Sequence, residues 1–208
     1  MSDSMTLVIG TKRYSSWSLR PWLALKKAGA EFDEVEIALR QPDTKAEILK
    51  WSPSGKVPLL VHGDLRIWDS LAICEYVAET FPEAELWPAE REARAVARAI
   101  SAEMHAGFPN LRNTCAMDVC VRTPLAEIPT DVMVEVERIK AIWNECRHRF
   151  GADGPFLFGR FSIADAMYAP VVTRFTTFAI KLDRVSKAYC DAVWDLPAMQ
   201  EWKHNACA

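Results

Sequence analysis

Strand-forming patterns in this chain of 208 residues end at Trp68, a third of the way along. Before that point extended and helical patterns alternate; after it only helical periodicity remains. A chain written this way cannot close one continuous sheet. It has to build a small α/β unit first and an all-helical unit after it. In the first unit, Thr6-Leu7-Val8-Ile9 is a short β-rich run. Residues 17–28 read as a helix with Leu19, Trp22, Leu23 and Leu25 on its apolar side and Gly29 as its stop. Pro21 fits only in a first turn, which places the helix start near Ser18. Residues 32–39 alternate with period two, as a half-buried strand does. A short helix over 43–51 is broken by Pro53-Ser54-Gly55. Residues 57–61 and 65–68 flank His62-Gly63-Asp64 as a hairpin, and Asp69-Ser70 caps a helix that follows. The predicted order is βαβ-α-ββα.

In the remainder, Val132, Val136, Ile139, Trp143, Cys146 and Phe150 recur at spacings of four and three, the stripe of a packed amphipathic helix ended by Gly151. Residues 91–111 read as a helix bent or ended near Pro109. Ser162-Ile163-Ala164-Asp165 is a capping box opening a helix that Pro170 is expected to kink. Further helices are expected over 185–195 and 197–205. The proline-bearing stretch 82–91 is the predicted linker, giving domains at 1–83 and 91–208.

Charge excludes one class of partner. Residues 1–84 hold 10 basic and 12 acidic side chains, and residues 85–208 hold 15 and 16. Neither part has the cationic excess that nucleic-acid binding needs; Arg147-His148-Arg149 reads as the decoration of a helix C-terminus. No run reaches the ~18 apolar residues of a membrane span, and the first residues lack the pattern of a secretory signal, so a cytoplasmic protein is expected. The six cysteines and four histidines show no metal or redox spacing. Free thiols and no metal are the expectation.

Four motifs in order carry a family resemblance: Tyr14-Ser15-Ser16-Trp17-Ser18-Leu19-Arg20, Gly55-Lys56-Val57-Pro58, Asp69-Ser70-Leu71-Ala72-Ile73, and Phe158-Gly159-Arg160-Phe161-Ser162-Ile163-Ala164-Asp165. Together they resemble the cytosolic glutathione S-transferases of bacterial type, over nearly the whole chain. The serine-rich opening is most similar to the zeta class, which usually has cysteine at the position of Trp17 and valine at that of Pro21. This departure touches the active-site signature of that class's isomerases.

The resemblance implies a thioredoxin-like N-terminal domain, an all-α helical-bundle C-terminal domain, glutathione as co-substrate, a small hydrophobic electrophile as second substrate, and a homodimer. It also implies a detoxifying conjugation without metal or bound redox cofactor. A helix N-terminus favours an anion beside it, and a serine hydroxyl can donate to a glutathione thiolate. Lowering a thiol pKa from ~8.5 by ~2 units requires roughly 3 kcal/mol, within reach of one charge-assisted hydrogen bond and a helix terminus. Ser15 aligns with the zeta-class catalytic serine; Ser16 is the alternative, separated by a one-residue shift, and both also suit simple capping. Tyr14 lies too early in the motif. Val57, before a proline that is cis in the family, would pair with the peptide backbone of glutathione, and Lys56 either reaches a carboxylate or lies in solvent. Asp69 and Ser70 would hold the γ-glutamyl end. Trp17, Trp22, His105, Phe108, Leu111 and Arg112 either border the second-substrate pocket or pack in the core. No cysteine precedes Cys74, so a thiol transferase with a nucleophilic cysteine at this helix is excluded. Two other readings stay open: a zeta-like glutathione-dependent isomerase, and a non-catalytic interaction module of the same fold.

Overall fold

The computed structural model describes residues 4–208. The first part is β1 (Met5–Gly10), α1 (Ser16–Ala28), β2 (Phe32–Ile37), α2 (Thr44–Trp51), β3 (Leu59–His62), β4 (Leu65–Trp68) and α3 (Ser70–Thr80). The sheet order is β2-β1-β3-β4, with β1 parallel to β2 and antiparallel to β3. Alternation along β1 explains the layers. Leu7 and Ile9 point into the core shared with α1 and α3, while Val8 points the other way, to Ile37, Ile48 of α2 and Leu59.

After a 3₁₀ turn at Pro82–Ala84 come α4 (Arg91–Ala106), α5 (Pro109–Thr114), α6 (Thr130–Phe150), α7 (Ile163–Thr177), α8 (Arg184–Trp194) and α9 (Pro197–Cys207). No described residue after β4 lies in a strand longer than an isolated bridge. The fold is a small α/β domain followed by a helical one. Trp143 of α6, fully buried, packs against Tyr168, Phe175 and Tyr189, which ties α6, α7 and α8 together. α7 runs through Pro170 and opens with the expected capping box: Ser162 N donates to Asp165 Oδ2 at 2.8 Å. The largest core cluster continues from α1 into these helices, so both domains share one apolar interior.

Some expectations are corrected. α1 begins at Ser16, two residues early, because the turn through Thr11, Tyr14 and Ser15 already delivers helical hydrogen bonds. The helix expected over 91–111 is interrupted near Pro109 as expected, its first part ending at Ala106: Gly107 is extended, Phe108 takes φ 61°, and Pro109 starts α5. Free thiols hold for Cys74, Cys115, Cys146 and Cys190, but Cys120 and Cys207 form a disulfide. They are 87 residues apart, and only the packing of α9 beside the segment after α5 brings them together, so spacing could not reveal the pair. No described helix is long and apolar enough to cross a membrane.

Candidate active site

The turn leading into α1 is held by the helical domain. Arg13 makes a two-pronged contact with Asp118 at 2.9 Å, and Val119 N donates to Arg13 O. Trp202 of α9 donates its indole N–H to Lys12 O at 3.0 Å. Lys12 pairs with Glu34 on the neighbouring strand. This grip fixes where Ser15 stands as N-cap of α1. Ser15 makes no side-chain cap bond. Its Oγ lies 2.7 Å from Ser18 Oγ, which accepts from Gly10 N at 3.2 Å. Ser18 Oγ thus accepts from Gly10 N and shares one hydrogen bond with Ser15 Oγ, a bond that either hydroxyl can donate. Ser16 is differently engaged: its Oγ accepts from Arg174 of α7 at 3.2 Å.

The second element is a cis peptide bond between Val57 and Pro58, just ahead of the β3 ladder that begins at Leu59. The third is the start of α3. Asp69 has φ 76° and ψ 130°, outside the regions a non-glycine residue favours. It is held there by its own side chain: Oδ1 accepts from Leu71 N at 2.9 Å and Ala72 N at 3.3 Å, and Oδ2 lies 3.1 Å from His105 Nε2. Ser70 is buried with no hydrogen-bond partner for its Oγ, at the helix N-terminus where N–H groups favour an anion.

A cleft of about 720 Å³ joins these pieces; Lys56, Val57, Pro58, Asp69 and Ser70 line it together with Trp17, Ile48, Trp68 and His105. The predicted binding residues therefore meet in one place. The two predicted catalytic serines, Ser15 and Ser16, are buried and do not line this cleft; of the α1 entry only Trp17, next in the chain, does. Of the candidates for a second-substrate pocket, Trp17 and His105 reach the cleft. Trp22 and Leu111 are core residues, Trp22 packing on Trp202 and donating to Glu34. Phe108 is buried, and Arg112 donates to the Gly107 carbonyl. Trp68, Arg174 and the Ser15–Ser18 pair were not singled out from sequence: β4 alternation is short, Arg174 is remote in the chain, and a serine at i+3 carries no pattern of its own. Burial pushes the Cys74 thiol up, which leaves it inert. Among the described residues no three potential metal ligands converge.

The family model described as glutathione S-transferase, N-terminal domain, matches residues 14–80, and that described as glutathione S-transferase, C-terminal domain, matches residues 132–202. Among curated proteins, glutathione S-transferase 1 of Dianthus caryophyllus is 42% identical over 81 residues, 39% of this chain and 36% of its own length. A probable maleylacetoacetate isomerase of Caenorhabditis elegans is 39% identical over 98 residues, 47% of this chain and 45% of its own. The matches thus span less than half the length of these two relatives. Glutathione S-transferase L3 of Arabidopsis thaliana is 27% identical over 97% of this chain and 80% of its own. Among solved structures, a Burkholderia glutathione transferase homologue with bound glutathione superposes with a TM-score of 0.74 at 22% identity, covering 98% of this chain and 97% of its own. A theta-class enzyme of Xanthomonas axonopodis with glutathione bound gives 0.68 at 22%, covering 99% and 100%. These two share the fold.

Proposed function

The chain belongs to the glutathione S-transferase family by both of its domains, and on that premise we propose that it conjugates the thiolate of glutathione to a small hydrophobic electrophile. The observation that carries this reading is the convergence of Val57 with its cis proline, Asp69 and Ser70 on one cleft beside the start of α1. Val57 pairs with the peptide backbone as an added strand would. Ser70 and the first amides of α3 take the γ-glutamyl carboxylate, and Asp69 takes its ammonium. Lys56, exposed at the rim, faces a carboxylate of the tripeptide. Ser15, hydrogen-bonded to Ser18, gives its hydroxyl proton to the thiolate, and the α1 N-terminus adds its dipole. The electrophile enters over Trp17 and His105. Leu65, a large apolar side chain about half exposed on edge strand β4, supports a homodimer.

The test is retention on immobilised glutathione followed by titration of bound thiolate absorbance against pH. Ser15→Ala is expected to raise the thiol pKa by about one to two units, the loss of one charge-assisted hydrogen bond. Failure of the wild-type chain to bind glutathione would refute the reading. An isomerase of the zeta kind would turn over its substrate without consuming glutathione; Trp17 at the position of that class's cysteine disfavours it.

A further inference from the structure

The guanidinium groups of Arg20 and Arg112 lie against the Trp17 ring and that of Arg174 bonds to the neighbouring Ser16, and among the described residues no carboxylate bonds to any of the three. Arg20 of α1 is completely buried, and its Nε, Nη1 and Nη2 have no hydrogen-bond partner. Its guanidinium carbon lies 4.3 Å from the centre of the Trp17 ring; that of Arg112 lies 4.7 Å from the same ring. Arg112 donates to backbone carbonyls, and Arg174 donates to the Cys115 carbonyl and to Ser16 Oγ.

The opposing groups are few. Asp69 and Cys74 face Arg20, Glu135 faces Arg112, and Cys115 faces Arg174. Burial pushes the Cys74 and Cys115 thiols up, so neither supplies negative charge at neutral pH. Asp69 already receives two amides and His105, and Glu135 already receives the amides of Asn110 and Leu111. Arginine keeps its proton even where burial and like charges oppose it. An interior cation without a bonded counter-ion is costly, and such costs concentrate where function uses them.

We propose that Arg20, Arg112 and Arg174 together form the counter-charge that holds the glutathione thiol as a thiolate at the start of α1. This rests on the reading of the cleft as a glutathione site. The alternative ligand is a carboxylate on the second substrate, but Arg20 is closed off from the cleft and acts through its field, not by contact. Arg174 donates to Ser16, the residue next to Ser15, which brings that charge to the start of α1. One unscreened charge several ångströms away is worth about tenfold in the ionisation of such a group.

Arg20 lies in the α1–α3–α7 core, where substitution risks the fold, so Arg112→Gln and Arg174→Gln are the working variants, with Arg174→Lys as the charge-retaining control. Bound thiolate absorbance is titrated against pH, and glutathione binding is measured separately by calorimetry. Each glutamine variant is expected to bind glutathione within a few-fold of wild type yet show about tenfold less thiolate at neutral pH, while Arg174→Lys keeps the wild-type titration. If both glutamine variants bind glutathione and titrate as wild type, the inference is wrong while the glutathione site stands. If the titration is unmoved and KM rises only for electrophiles bearing a carboxylate, the trio serves the second substrate and the inference is equally overturned. If wild-type protein binds no glutathione, the underlying reading falls and this one with it.

Discussion

Asp69 and His105 join the two domains: Oδ2 of the first lies 3.1 Å from Nε2 of the second, while the other carboxylate oxygen caps α3. One side chain thus fixes the helix whose N-terminus faces the cleft and the histidine that borders it from α4. The left-handed φ of Asp69 persists because these three contacts over-determine it.

Asp69→Ala should therefore act mainly on binding. Removing the carboxylate removes an interaction made alike in the ground and transition states, which raises KM for glutathione by roughly tenfold with a smaller change in kcat. The lost cap should also cost about 1 kcal/mol of stability. Steady-state kinetics with varied glutathione checks the split; equal losses in kcat and kcat/KM would contradict a binding role.

Ser18→Ala separates two accounts of the buried serine pair. If Ser18 donates to Ser15, its removal should raise the pKa of bound glutathione, by less than Ser15→Ala does, because Ser15 keeps its own proton but loses polarisation. Ser16→Ala is the control. Arg174 retains the Cys115 carbonyl when Ser16 Oγ is gone, so thiolate absorbance should titrate near wild type. A larger shift from Ser16→Ala than from Ser15→Ala would move the donor role to Ser16.

Local chemistry made much of this fold legible. The βαβ-α-ββα order, the Asp69 cap and the Ser162–Asp165 box follow from periodicity and capping rules that act over a few residues, and the structure has them. The gathering of Lys56, Val57, Asp69 and Ser70 rested on resemblance, since no local rule brings residues 56 and 70 to one cleft. Relations across the whole chain were invisible. Arg13 with Asp118, Trp202 with Lys12, and Cys120 with Cys207 are each made by helix packing late in the sequence against its beginning or middle. Trp22 illustrates the same limit: its apolar spacing suits a pocket wall and a core equally, and only the position of Trp202 decides.

The Cys120–Cys207 bond closes a long loop and fastens the end of α9, whose Trp202 holds the α1 entry turn. Loop-closure arguments put its contribution at about 4–5 kcal/mol. Dithiothreitol should lower the thermal midpoint of the wild-type chain, and Cys207→Ser should melt at the reduced wild-type temperature with no further response to reductant. Identical midpoints with and without reductant would deny the bond a stabilising role.

Asp165 makes stability depend on pH in an unusual direction. Its carboxyl is fully buried, and burial raises its pKa to about 6 despite the hydrogen bonds donated by Leu157 N, Ser162 N and Ser162 Oγ, which pull the other way. An unfolded aspartate titrates near ~3.9. Between about pH 4 and pH 6 the folded chain therefore holds a proton that the unfolded chain has lost, and the Asp165 contribution falls as pH rises through that window. It is constant above pH 6 or so. Two pKa units set an upper bound of roughly 3 kcal/mol on the change. Asp165→Asn cannot ionise and has one acceptor oxygen for the three donors, so it should lose about 1–3 kcal/mol overall. The informative quantity is the difference between the two melting curves. Wild type should exceed Asp165→Asn by more at pH 4 than at pH 7, because only wild type regains the protonation free energy on acidification. Other titrating groups move both proteins together and cancel in this difference. A gap that is flat between pH 4 and pH 7 would mean that the capping box holds its carboxylate ionised throughout.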